Sequence, residues 1–473
     1  MIFVGTLGIL ASVGISIWVG IDALLHPINQ SPYDTRWMLT YAAGLGAVGL
    51  LCWLWRGRLL IALTILVVAA FVLITVVRAN TGLAFLMLAW LIILAAGIGN
   101  KSLEVIAPLL SADSLERLLF SISSGLGILA LLMFALGMLQ LYYRELVFGG
   151  SIALTILFAP SVRRVLSAFW REGIPQIKNA WRSADLRFHS VVFAGLIGCF
   201  LGGLVWAIAP GIEYDTLLYH LGVPTIYLQE HGIIQVPEEF RSYWAHNAEM
   251  LFTLGLVLAD QPLPALISLT ATGLLTGLVF CLGRRASSAR AGLVAALLFY
   301  SVPVITWESG TAYTDVMVGL YAFGALYGVY VWLTEKNNGW LVLAGVQAGL
   351  AVGTKLNAFL LLAPLSVLLA LVLMWRYRLS RETFIGLVRF AVPMLLLAAP
   401  WLIRDWVWTG NPTFPYFNAF WRGAGWTLTN PWFNFGNFGE GHAAVDLVRL
   451  PLDLVLKTGA FSEATPGAAT AAL

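Results

Sequence analysis

The run SVVFAGLIGCFLGGLVWAIAP (190–210) is followed within three residues by Glu213-Tyr214-Asp215-Thr216-Leu217-Leu218-Tyr219-His220. The first part decides the fold. A helix crossing a hydrocarbon core takes about 20 apolar residues, and this run supplies them without a charge. The second part is its opposite, with carboxylates, phenols and an imidazole crowded at the mouth of the run. Ionisable groups are costly to desolvate at a membrane boundary, so they mark pathways or reaction sites there.

Working outward from 190–210, the same apolar pattern recurs along the chain. It predicts about thirteen spans, near 2–24, 37–55, 59–77, 82–99, 119–140, 146–161, 190–210, 262–283, 290–306, 312–333, 339–353, 357–374 and 385–403. The expected fold is all-α, a polytopic membrane bundle whose outer loop carries interfacial helices. Composition agrees: 60% of residues are hydrophobic, 11% are charged and mean hydropathy is +0.85. A soluble chain would be about 25% charged. The net charge of +3 gives no reason to expect a nucleic-acid partner, whereas membrane lipids are an obligatory one. Cys52, Cys199 and Cys281 each lie inside an apolar run and fit small buried hydrophobes rather than a disulfide framework or zinc site. Met1 to Leu25 lacks a basic n-region and a small-residue cleavage site, so it reads as a retained span.

Basic residues set the expected sidedness. Arg56 and Arg58, then Arg163 to Arg187, then Arg284, Arg285 and Arg290, then Arg376 to Arg389 all fall on one side if the N-terminus is cytoplasmic. The positive-inside rule makes that side the cytoplasm. The segments 211–261, 307–311 and 404–473 then face outward, on a bacterial plasma membrane. Four parts result: a six-span module over 1–162, a basic linker over 163–189, a seven-span core over 190–403 and an aromatic-rich outer segment over 404–473. The linker sets Trp170, Ile174, Ile177, Trp181 and Leu186 among its cations, which suits either a helix lying on anionic lipid or a solvated connection.

The outer interval concentrates the chemistry. Thr216 to Leu228 has apolar residues at 217, 218, 221, 223, 226 and 228, as a helix lying along the membrane face would. Asp215 falls near its N-terminus, where the helix dipole favours an ionised carboxylate, and Tyr219 and His220 follow about one turn on. Such a carboxylate suits general-base activation of an acceptor hydroxyl or amine; a lone interfacial Asp serves equally as a solvated cap. Arg241, Lys355 in Gly353-Thr354-Lys355 and Arg404 in Pro400-Trp401-Leu402-Ile403-Arg404 share the outer side and suit a phosphate. A second acidic stretch, Thr306 to Asp315, brings Glu308 and Asp315 to that side. Glu308 fits a solvated position, and Asp315 fits either a helix cap or a functional carboxylate. His220, His231 and His246 have no metal-ligand spacing; a divalent metal is compatible with the carboxylates, but nothing requires one.

With those motifs in place, the chain resembles the integral-membrane GT-C glycosyltransferases, within them the dolichyl-phosphate-mannose-type and RgtA/B/C/D-like branches. The resemblance rests on Asp215-Thr-Leu-Leu-Tyr219-His220-Leu221, Ala312-Tyr313-Thr314-Asp315, Gly353-Thr354-Lys355, and Pro400 to Arg404 continuing to Trp408-Thr409-Gly410-Asn411-Pro412. It covers about 190–420. It implies inverting transfer of a sugar from a polyprenyl-phosphate donor on the extracytoplasmic face to a glycan, lipid or protein acceptor. Asp215 would be the catalytic base of the first outer loop and Asp315 the second acidic residue, with Glu308 a substitute. Lys355, Arg404 and Arg241 would hold the donor phosphate, with Tyr219 and His220 as pocket walls. Two other readings stay open from sequence: a transporter or flippase of a lipid-linked saccharide, and a non-catalytic assembly subunit.

Overall fold

The computed structural model describes residues 81–108, 110–175 and 186–422, with 445–446 and 449. The spans expected near 2–24, 37–55 and 59–77 and the aromatics of 423–444 lie outside the described residues. The described part is helical and contains no strand. Its α-helices of seven residues or more are α1 (Gly82–Ile106), α2 (Ser114–Met138), α3 (Arg144–Ala168), α4 (Leu186–Ile208), α5 (Gly222–Gln229), α6 (Asn247–Ala259), α7 (Pro262–Ala286), α8 (Ala289–Tyr300), α9 (Pro303–Ser309), α10 (Asp315–Glu335), α11 (Asn338–Thr354), α12 (Ala358–Tyr377) and α13 (Arg381–Thr409).

Seven of the described helices are long and apolar enough to cross a membrane: α1, α2, α3, α7, α10, α12 and α13. A total of thirteen spans is therefore not established. The expected span near 290–306 is broken. α8 has 12 residues, about 18 Å of helix against a core of about 30 Å. Pro303 opens α9 and forces Val302 into extended backbone, which ends α8. α6, assigned from sequence to a loop, is a 13-residue helix buried along nearly its whole length. At about 20 Å it is shorter than a hydrocarbon core. Two helices also overrun their expected ends. α3 continues through a π-turn at Phe169–Gly173 into the expected linker, and α13 carries Arg404 inside a helix rather than in an outer segment.

The chain punctuates these helices with local devices. Asp113 caps α2 by accepting from Leu115 and Glu116 N–H, and Glu116 returns the bond in a capping box. Lys336 ends α10 in the left-handed region, and the Asn337 side chain starts α11 by accepting from Gly339 N–H. Between helices, packing follows small residues, because apolar side chains gain little by leaving lipid for one another. A Cβ at Gly99 would collide with the Ser121 carbonyl oxygen, and one at Gly125 with that of Ala95, so α1 and α2 cross backbone to backbone. Gly345 and Gly349 of α11 approach the Phe390 and Met394 carbonyls of α13 in the same way.

Packing also crosses the expected module boundary. α2 lies against α1, α6, α7, α10 and α11. At mid-depth Ser123 Oγ donates to Gln347 Oε1 and Gln347 Nε2 donates to Ser124 Oγ, each at 3.0 Å. The turn after α2 is joined to the 211–261 interval: Tyr142 N–H donates to the His231 carbonyl, Ile233 N–H to that of Gly137, both at 2.9 Å, and Tyr143 stacks on His231. Charged groups gather at the two ends of this bundle. Asp113, Glu116, Arg284, Arg285 and Glu335 meet at one, and Asp215, Asp315 and Lys355 at the other.

Candidate active site

Asp215 stands at the start of a short helical turn that the sequence reads as an ordinary helix. It is a π-turn, Thr216–His220, closed by Leu221 N–H on the Thr216 carbonyl at 2.9 Å. Such bulges concentrate at functional sites because one extra residue re-aims the side chains. Here the turn brings the Tyr219 hydroxyl back to donate to Asp215 Oδ2 at 3.2 Å and turns His220 inward. Asp215 makes no capping bond. Its carboxyl is raised above the usual range by burial, against the pull of Arg241 and Tyr219. The dipole-stabilised carboxylate expected from sequence is thus replaced by a half-buried, more basic one. Tyr219 is pushed up by burial and then by Asp215, so it stays a donor.

Facing it is a second pair. Lys355 follows the last turn of α11, and its Nζ donates to both Asp315 oxygens at 2.9 and 3.0 Å. Burial alone would lower the Lys355 ammonium; Asp315 reverses this and holds it above its ordinary value. Asp315 does not cap α10, whose preceding Thr314 makes no side-chain cap either. Glu308, on α9, is half-buried beside the pair rather than solvated. Burial and then the charge of Asp315 push it up to about 8. Asp215 lies in the field of Arg241, Lys355 and Asp315, so the two pairs form one electrostatic site.

Aromatic rings wall it. Tyr219 packs on His220 with ring centres 4.0 Å apart, on Trp244 at 5.8 Å, and His220 packs on Tyr313, which meets Trp307. Arg241 is buried, lies over the Tyr219 ring at 5.1 Å and pairs with Glu239 at 3.1 Å. Arg404 is placed differently from the expectation. It is buried among Trp401 and Trp408, pairs with Asp405 at 2.6 Å and donates to the Trp244 carbonyl, one layer behind the site. Glu213 is buried and accepts from Trp206 Nε1 at 2.9 Å, tying the turn to α4.

Three residues escaped the sequence reading. Glu249, on α6, is fully buried against His220. Tyr313 was quoted only as part of a motif. Tyr416 lies in the field of Lys355, brought there by Gly410 and Asn411. Gly410 ends α13 in the left-handed region, and the buried Asn411 amide donates to the Tyr416 carbonyl while its oxygen accepts from Thr413 N–H. The Trp408-Thr409-Gly410-Asn411-Pro412 motif thus folds a loop back over the site; only its Gly-Asn pair signalled that from sequence. Among the described residues no three side chains of His, Cys, Asp and Glu converge as a metal would need.

Fold and site together define a membrane protein whose described residues are helical and gather an ionisable cluster at one end of the bundle. Residues 254–404 match the family described as dolichyl-phosphate-mannose-protein mannosyltransferase, so the resemblance to a membrane glycosyltransferase family holds over that stretch. Glu308, Asp315, Lys355 and Arg404 fall inside it; Asp215, Tyr219, His220 and Glu249 precede it. A 125-residue stretch is 27% identical to an uncharacterized protein of Shigella flexneri, covering 26% of this chain. The chain spans 61% of that relative's length. No solved structure matches.

Proposed function

We propose that this protein transfers a sugar, with inversion, from a polyprenyl-phosphate-linked donor to a glycan, lipid or protein acceptor at the extracytoplasmic face of a bacterial inner membrane. The observation that carries this reading is the meeting of Asp215–Tyr219 with Asp315–Lys355 at one end of the bundle. Asp215 takes the acceptor's proton as the acceptor atom attacks the anomeric carbon. The bond from that carbon to the phosphate oxygen breaks, and its electron pair leaves with the polyprenyl phosphate. Lys355 receives the phosphate charge, oriented by its two bonds to Asp315. Tyr219 holds Asp215 in place, and burial makes that carboxylate a stronger base than a solvated one. Glu308, protonated near neutrality, adds a donor beside the phosphate.

The test is transfer from a radiolabelled polyprenyl-phosphate sugar in membranes carrying the full chain or its Asp215→Asn variant. A general base contributes about 10²- to 10⁴-fold, so transfer by the variant should fall by at least about 100-fold. Transfer that survives the substitution removes Asp215 from the role of base. The flippase reading calls for polar groups deep inside the spans with broken helices in corresponding halves. Gln347 with Ser123 and Ser124 forms a polar contact that joins α11 to α2.

A further inference from the structure

Glu249 has no part in that mechanism, yet it is the most enclosed carboxyl near the site. It sits in the first turn of α6 with its side chain 2% exposed, and Oε1 lies 2.8 Å from His220 Nδ1. Its other oxygen, Oε2, is buried with no hydrogen-bond partner. A carboxylate left that way would forfeit the solvation of a full charge, whereas the carbonyl oxygen of a neutral acid forfeits far less. The cations near it are committed elsewhere: Lys355 to Asp315 and Arg404 to Asp405. The imidazole is equally enclosed, between Tyr219 and Tyr313. Two neutral partners at 2.8 Å allow two arrangements. Nδ1–H donating to a carbonyl Oε1 would put the acid proton on Oε2, where it finds no acceptor. The favoured one therefore has the acid's O–H donating from Oε1 to Nδ1 and the ring proton on Nε2.

We propose that Glu249 is a positioning residue whose protonated carboxyl fixes the His220 tautomer, so that His220 presents Nε2–H as a hydrogen-bond donor to a substrate oxygen. Ionising Glu249 would invert the pair: Nδ1–H would donate to the carboxylate, and Nε2 would become an acceptor. The titratable and charged groups around the pair are Tyr219, Tyr227, His246, Lys355, Asp315, Arg241 and Arg404. Burial raises Glu249 to about 8 and holds His220 well below its ordinary value, in keeping with a neutral pair at pH 7. The donor form is present below that value and lost as pH rises through it. The choice of a substrate oxygen as partner rests on the transferase reading; the tautomer does not.

The experiment is solid-state nitrogen NMR of the full chain in lipid bilayers, labelled with ¹⁵N-histidine. The His220 signals are assigned among the six histidines by difference from His220→Gln. At pH 7 a neutral ring protonated at Nε2 is expected, changing to Nδ1 protonation as pH rises past about 8. Glu249→Gln, whose amide can donate to Nδ1, should keep the Nε2–H form and abolish its dependence on pH. A ring protonated at Nδ1, or at both nitrogens, at pH 7 overturns the proposal. So does a Glu249→Gln spectrum that still changes with pH. These readouts need no transfer activity, so their failure is distinct from failure of the transferase reading.

Discussion

Single ionisable residues carry the strongest consequences of burial, and Glu308 gives a direct one. Its carboxyl rises from an ordinary 4.5 to about 8 because burial and the neighbouring Asp315 charge both oppose ionisation. Between those two values the folded protein holds a proton that the unfolded chain releases. The unfolding free energy therefore falls as pH rises through that window, and the penalty is absent below it. Glu308→Gln cannot ionise, so its melting temperature in detergent should decline less steeply than the parent's between about pH 5 and 8. Parallel curves would mean that Glu308 is not held protonated. Identities were legible at this scale and partners were not. Asp215, Asp315 and Lys355 stood out because charges are rare at the ends of apolar runs. Nothing in the sequence links Asp315 to Lys355 across 40 positions, or sends the Arg404 charge to the adjacent Asp405. Glu249 was passed over because a glutamate in a polar interval reads as solvated until α6 is known to be buried.

At the scale of elements, the sequence erred where hydropathy was averaged over a window and local punctuation ignored. Tyr300-Ser301-Val302-Pro303 carries a clear break signal, yet its flanks are apolar enough to merge α8 and α9 into one expected span. α6 failed in the opposite sense, being too short for a span-length window while its apolar residues fill the bundle. Gly345, Gly349 and Gly353 recur every four residues on α11, a spacing the sequence reading did not use, and its meaning is contact. Gly349 lies where an added Cβ would sit 2.5 Å from the Met394 carbonyl of α13. A backbone carbonyl cannot swing aside as a side chain tip can. Gly349→Val should therefore push α13 away from α11 and lower the melting temperature by several degrees, as overpacking costs of about 1–3 kcal/mol imply. Because Lys355 follows α11 directly, donor affinity should weaken as well. Unchanged melting and an unchanged KM for the donor would show that the crossing tolerates a side chain.

For the whole molecule, the question is what α1 to α3 contribute to a core that the family resemblance begins only later in the chain. Besides the contact of Ser123 and Ser124 with Gln347, the structure ties them to the core at each end of the bundle. At the candidate-site end the turn after α2 is joined to the 211–261 interval through His231 and Ile233. At the other end Glu116 of α2 is wholly buried. It accepts from Arg285 of α7 at 2.5 and 2.6 Å and from the Tyr327 hydroxyl of α10 at 2.6 Å, while Asp113 pairs with Arg284. One carboxylate therefore joins the early helices to two helices of the core. Arg285, by contrast, is partly exposed and keeps Glu335, so removing the carboxylate costs less than the roughly 3–5 kcal/mol of a fully buried pair and more than an exposed pair returns. Glu116→Ala should accordingly lower the melting temperature in detergent. It should also loosen α2 against α11, where the polar contact of Ser123 and Ser124 with Gln347 depends on register. Cysteines placed at positions 123 and 347 should be cross-linked by a short bifunctional thiol reagent readily in the parent and poorly in Glu116→Ala. Glu116→Gln, which keeps an acceptor for Tyr327 and Arg285, should fall between the two. If Glu116→Ala melts with the parent and cross-links as well, the early helices are held by apolar packing alone, and the ion network is incidental to how the active-site end is supported.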